Sequence, residues 1–138
     1  MQEHGLKISE LVTLFNLEVL NRGSDYDTAL LTITDVNRPG LQFHSFYDYF
    51  DPRRLQVLGK AEITYLKGLT TEQRRKCFDD LFLYDIPALV ISRGLDCFPE
   101  CLESARVHER TLLRTEETTV EFTSHTIEYL NRVLAPCV

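Results

Sequence analysis

Pro87-Ala88-Leu89-Val90-Ile91-Ser92-Arg93-Gly94 decides the architecture. Ala88 to Ile91 is an unbroken apolar run, fenced by a proline on one side and a Ser-Arg-Gly break on the other. Such a run predicts a buried strand of the kind that parallel sheets place between helical layers. Outward from it, the pattern alternates. On the N-terminal side, Thr70-x-x-Gln73 has the form of a capping box and predicts a helix that buries Cys77, Phe78, Leu81 and Phe82 on one face. Before that helix, Leu55-Gln56-Val57-Leu58 reads as a strand, and Gly59 turns the chain into a helix from about Ala61 to Leu66, ended by Gly68. On the C-terminal side, Pro99 suits the first turn of a helix carrying Leu102 and Ala105 inward. Leu112-Leu113 is a final short strand, and Thr118-x-x-Glu121 opens a last helix with Ile127, Leu130 and Leu134 on its buried stripe. Near the start, Ile8, Leu11, Val12 and Phe15 recur at helical spacing, Leu17 to Leu20 reads as extended, and a stronger strand covers Ala29 to Thr34. Strands alternating with helices give an α/β fold, a three-layer α/β/α sandwich whose sheet is mostly parallel and admits a mixed edge.

Size and composition suit a single domain. A chain of 138 residues buries roughly two-thirds of its unfolded surface, enough for a core without staples. With 43% hydrophobic and 26% charged residues, the sequence is not a disordered tail. No run approaches the roughly 18 apolar residues of a membrane span, and the N-terminus has no signal-peptide core. A cytoplasmic protein is therefore expected, without a membrane partner. The net charge of −6 argues against a nucleic-acid partner, and the short clusters Arg53-Arg54 and Arg74-Arg75-Lys76 read as solvated faces beside acidic neighbours.

Asp35-Val36-Asn37-Arg38-Pro39-Gly40-Leu41 reads as a rigid turn after the Ala29–Thr34 strand, holding Arg38 at a strand end. Beyond it, Phe43, Phe46, Tyr47 and Phe50 form an aromatic cluster at helix-like spacing, suited to packing on the sheet. Arg93 follows the Ala88–Ile91 strand and Arg114 the last one. If these strands are parallel, Arg38, Arg93 and Arg114 share the carboxyl edge with the hydroxyls of Ser92 and Thr115 and with the N-terminus capped at Thr118. That edge is where open α/β sheets bind ligands, and the set suits a phosphate or carboxylate. The alternative is that Asp35, Asp96, Glu116 and Glu117 neutralise the arginines as surface pairs.

No catalytic constellation is present. His4, His44, His108 and His125 are scattered, no Gly-x-Ser-x-Gly occurs, and no acid or base can be assigned among 21 acidic residues. The nearest approach to a P-loop is Gly59-Lys60, with Arg54 where the first glycine belongs and Ala61 where the hydroxyl belongs. Cys97-x3-Cys101, with His108 beyond, lacks zinc-site spacing, so free thiols and no metal are expected.

Several segments carry a family resemblance in order. They are Asn37-Arg38-Pro39-Gly40-Leu41, Tyr47-Asp48-Tyr49-Phe50, Arg54 to Glu62, Pro87 to Leu95, Leu112-Leu113-Arg114-Thr115, and Tyr129-Leu130 with Leu134-Ala135-Pro136. Over nearly the whole chain these resemble the N-terminal domain of the bacterial HPr kinase/phosphorylases. The resemblance implies the α/β/α fold, similar to the first domain of the Mur ligases. It implies a single domain over residues 1–134, with 135–138 starting the junction to a C-terminal P-loop kinase domain that would bring ATP and Mg²⁺. It further implies a non-catalytic regulatory or assembly domain, with no cofactor of its own, in an enzyme that phosphorylates and dephosphorylates a serine of HPr. That enzyme controls the phosphotransferase system and carbon catabolite repression, its partners being HPr and, in a hexamer, copies of itself. The alternative is a sensor domain binding a phosphorylated metabolite or nucleotide at the arginine edge.

Overall fold

The computed structural model describes residues 5–135, so His4, Cys137 and most of the expected junction at 135–138 lie outside the described residues. In chain order the elements are β1 (Leu6–Lys7), α1 (Ile8–Phe15), β2 (Glu18–Asn21), β3 (Leu30–Leu31), β4 (Val36–Asn37), α2 (Gly40–Phe43), β5 (Leu55–Leu58), α3 (Lys60–Lys67), α4 (Thr71–Phe82), β6 (Leu89–Ile91), α5 (Pro99–Val107), β7 (Leu112–Arg114) and α6 (Thr119–Val133). Five strands form the main sheet in the order β2-β7-β6-β5-β4. The last four run parallel, while β2 is antiparallel to β7.

The sheet is short but buried on both faces. Side chains alternate along each strand, so Leu58, Leu89, Ile91 and Leu112 point into a core built with α2 to α5. Leu55, Val57, Val90 and Leu113 point the other way, into a core with α1, α6 and the β1–β3 pair. This is a three-layer α/β/α sandwich with a mixed sheet. Among the described residues no helix is long and apolar enough to cross a membrane.

Both capping boxes form, with Thr70 Oγ1 accepting from the Gln73 N–H and Thr118 Oγ1 from the Glu121 N–H, each at 3.1 Å. Four expectations need correction. The Ala29–Thr34 strand shrinks to Leu30–Leu31, which pairs with Leu6–Lys7 outside the main sheet. The edge strand is instead Val36–Asn37, inside the expected turn, pinned where Asn37 Nδ2 donates to Gln56 Oε1 at 2.7 Å and to Gln42 Oε1 at 3.0 Å. The aromatic segment is helical only as far as Phe43, since Ser45 and Tyr49 take φ of 65° and 63° and turn the chain. Its Phe43 is buried in the core on the α2–α5 face of the sheet, Tyr47 and Phe50 pack against that core as expected, and the Tyr47 ring also stacks on Tyr84, centroids 4.8 Å apart. Finally, α6 buries Thr119, Phe122, Thr126 and Leu130, leaving Ile127 and Leu134 half-buried.

Arg53 and Lys76 of the basic clusters are exposed beside acidic neighbours as expected, but Arg74 departs from a solvated face. Arg74 is largely enclosed and donates from Nε to Leu66 O at 3.0 Å and from Nη2 to Leu69 O at 2.9 Å. Its Nη1 pairs with Glu100 at 2.7 Å, and its guanidinium carbon lies 4.7 Å from the centre of the Phe98 ring. It therefore ties the end of α3 to the start of α5.

Candidate functional site

Because β4 to β7 are parallel, their carboxyl ends deliver Arg38, Gly59, Ser92-Arg93-Gly94 and Arg114-Thr115 to one edge of the sheet. The five residues expected there do share that edge, but they differ in what they are free to do. Ser92 is buried and its hydroxyl is engaged, lying 2.8 Å from Leu58 O and 2.6 Å from Thr119 Oγ1. Thr115 is buried as well. Its Oγ1 accepts from the Glu117 N–H at 3.2 Å, and its carbonyl accepts from the Gly94 N–H at 2.8 Å. Both hydroxyls knit loops together rather than face a ligand.

Arg114 is engaged too. Its Nε and Nη2 make a two-pronged pair with Glu18, at 2.9 and 3.0 Å, and its Nη1 donates to Leu95 O at 3.2 Å. The pair follows from register, since Glu18 stands opposite Arg114 where antiparallel β2 joins the sheet. Two arginines remain at the surface. Arg38 has a half-exposed side chain whose Nε and Nη2 reach Glu62 Oε1 at 3.1 and 3.0 Å, and it lines a surface cavity of about 300 Å³ with Thr119, Val120, Thr123 and Ser124. Arg93 is exposed, held at φ 60° by its own N–H, which donates to Glu117 O at 2.7 Å. Gly94 follows at φ 60°, and a side chain there would run into the Glu116 carboxylate.

The acids named from sequence as partners of the arginines are not their partners. Asp35 pairs with Arg54 at 3.4 Å and Glu117 with His125 at 2.6 Å. Glu62 and Glu18 take Arg38 and Arg114 instead. Electrostatically the edge is mixed. Glu62 pairs with the Arg38 head, and the Glu121 carboxylate lies near enough to Arg93 to feel its charge. The Glu121 carboxyl is held below its usual range by the Thr118 backbone N–H and hydroxyl, with smaller help from His125 and Arg93.

Gly59 is the residue that sequence reasoning undervalued. Its N–H donates to Glu62 Oε1 at 2.6 Å, capping α3, and a Cβ there would lie 2.5 Å from both Arg38 Nη2 and Thr119 Oγ1. The backbone after β5, where a phosphate loop would sit, is thus closed by side chains of the domain itself. The signal was present as Gly59-x-x-Glu62, a strand-ending glycine with a glutamate three residues on. Among the described residues no group of three or more His, Cys, Asp or Glu side chains is placed to hold a metal ion. His108 caps the far end of α5 from Cys97 and Cys101.

Fold and edge together define a three-layer α/β/α domain whose carboxyl edge is laced shut by its own hydrogen bonds. Comparison with known proteins narrows the class. The family described as HPr Serine kinase N terminus matches residues 6–130. An HPr kinase/phosphorylase of Clostridium perfringens is 39% identical over 132 residues, covering 96% of this chain and 42% of that protein. One from Clostridium tetani is 41% identical, covering 96% and 43%. The chain therefore belongs to the HPr serine kinase N-terminus family and spans less than half the length of these relatives. Among solved structures, the regulatory CBS and DRTGG region of a Clostridium perfringens pyrophosphatase, complexed with its activator diadenosine tetraphosphate, superposes with a TM-score of 0.60. It is 11% identical and is matched over 94% of this chain and 52% of that one, a likeness of fold.

Proposed function

We propose that this domain is the non-catalytic regulatory and assembly part of a cytoplasmic HPr kinase/phosphorylase, acting on HPr only through a kinase domain outside these residues. The observation that carries the proposal is the strand-to-helix junction at Gly59-Lys60-Ala61. It occupies the topological place of a phosphate loop, yet Glu62 takes its backbone N–H, and Arg38 and Thr119 fill the space over Gly59. It also lacks the hydroxyl that would ligate Mg²⁺. ATP and Mg²⁺ would then belong to the kinase domain. Incubation of the chain with HPr, Mg²⁺ and either ATP or pyrophosphate should give no phosphoserine above a control without it. Phosphotransfer by these residues alone would overturn the proposal.

A second reading, a sensor for a phosphorylated metabolite or nucleotide, draws on the cavity beside Arg38 and on the exposed Arg93. The carboxylates of Glu62 and Glu121 beside these arginines weaken it. A thermal-shift screen of nucleotides and sugar phosphates decides between the two, since a ligand at 100 times its dissociation constant adds about 2.7 kcal/mol of stability. For assembly into a hexamer, scattering mass of the whole enzyme with and without this domain is the measurement.

A further inference from the structure

The loop that follows α2 is clamped in place, yet it turns three large apolar side chains out to solvent. The Phe46 N–H donates to Leu41 O and the Phe50 N–H to Tyr47 O, each at 3.0 Å, and the Tyr47 and Phe50 rings meet edge to face with centroids 5.4 Å apart. Tyr84, just past the end of α4, packs on both rings at 4.8 and 5.0 Å. From this scaffold Leu41 and Phe46 are exposed, and Tyr49 is 99% exposed. Tyr49 also holds φ at 63°, a left-handed backbone that a bulky residue adopts only at a cost. A fixed and fully displayed aromatic has the form of a binding anchor.

A receptor for such an anchor lies at the other end of the same helical layer. A cavity of about 320 Å³ opens between α3 and the β6–α5 loop, walled by Ile63, Leu95, Phe98 and Pro99, with Lys67 and Asp96 also lining it. An apolar cavity of about 150 Å³ already holds benzene, so a phenol ring fits. Lys67 and Asp96 are exposed and, like Asp48 beside the tyrosine, form no ion pair among the described residues. Knob and hole therefore match in charge as well as size. Asp48 complements Lys67, and the phenol hydroxyl, which needs a partner once buried, has the Asp96 carboxylate as acceptor.

We infer that Tyr49 of one copy of this chain seats in the α3–α5 cavity of a second copy, with Asp48 paired to Lys67 and the Tyr49 hydroxyl donating to Asp96. The loop stands at the amino edge of the sheet, beside the end of α4 and shortly before β5, whereas the cavity stands at the carboxyl edge, after β6. One copy thus offers its tyrosine to a second while receiving that of a third. Such a head-to-tail contact closes into a ring or runs on as a chain. The inference rests on the assembly role proposed above and supplies the contact that role requires.

Sedimentation of the purified chain from micromolar to millimolar concentration reads the contact directly. The mean mass should climb past that of two copies as concentration rises. Tyr49→Ser should weaken the association at least about tenfold, as loss of an interface anchor does. Asp48→Lys and Lys67→Asp should each weaken it alone, by setting like charges against each other. Mixed together, the two variants should assemble again, since every contact then joins opposite charges. All three positions are exposed, and melting curves that match the parent's check that the variants fold. A parent chain that keeps the mass of one copy throughout, a mass that stops at two copies, Tyr49→Ser assembling like the parent, or swapped charges that do not rescue each other would overturn the inference. The wider assembly role fails separately, if removing this domain leaves the scattering mass of the whole enzyme at the same number of copies.

Discussion

At the scale of single residues, three arginines are structural links whose partners lie far off in sequence. Arg38 meets Glu62, Arg114 meets Glu18 and Arg74 meets Glu100, separations that no local pattern reveals. Charge clusters were legible in the sequence, but whether a guanidinium faces water or a helix end depends on which elements pack. Arg74→Ala should cost about 3 kcal/mol in chemical denaturation, because it leaves Glu100 nearly enclosed without a partner and uncaps two carbonyls of the α3–α4 connection. Arg74→Lys should rescue little, since an ammonium cannot reach Leu66, Leu69 and Glu100 together. Restoration of full stability by lysine would show that charge alone matters there. At Gly59, alanine should cost about 1–3 kcal/mol through the clash with Arg38 and Thr119. Part of that loss should return in the Gly59→Ala, Arg38→Ala double variant, which relieves one of the two contacts.

At the scale of elements, what could be seen in advance was what local chemistry dictates. Capping boxes at Thr70 and Thr118, the Gly59 and Gly68 flanks of α3, Pro99 at the start of α5 and the buried runs of β5 and β6 all formed where the pattern placed them. Replacing Thr70 or Thr118 by Ala should cost about 1 kcal/mol each. The misread elements are those set by tertiary pairing. Two-residue strands carry no periodicity, so whether Leu30–Leu31 or Val36–Asn37 joins the main sheet is settled by partners, not by β propensity. The aromatic segment likewise turns at Ser45 and Tyr49 in order to stack on the end of α4. Within that stack the Tyr47 hydroxyl is buried without a hydrogen-bond partner, and burial, then Asp80 and Tyr84, raise it above the usual phenol range. The native state thus favours neutral Tyr47. Its contribution is intact below the unfolded phenol pKa of about 10 and falls as pH rises above that value. Tyr47→Phe should accordingly be near-neutral at pH 7 and flatten the loss of stability between about pH 9 and 11. An unchanged alkaline slope would place the titration elsewhere.

At the scale of the whole molecule, one sheet serves two cores. Strands β5, β6 and β7 send alternate side chains to opposite faces, so Val57 and Val90 bear on the α1–α6 layer while Leu58, Leu89 and Ile91 bear on α3 to α5. Each strand is three or four residues long, too short for either layer to keep the sheet without the other. The carboxyl edge adds a second tie: Ser92 joins β6 to α6 through Thr119, and the Arg93 and Gly94 N–H groups reach Glu117 and Thr115 across the loops. Unfolding should therefore be a single transition. Phe78→Ala on one face and Phe122→Ala on the other each remove a fully buried ring and should cost about 3–5 kcal/mol. Although the two rings lie on opposite sides of the sheet, each variant should shift near-ultraviolet and far-ultraviolet dichroism along one common denaturation curve, with an m-value like that of the parent. If Phe122→Ala instead released α6 and α1 in a separate, earlier step while α3 to α5 stayed folded, the two layers would be independent units, and the lacing at the carboxyl edge could not be what joins them.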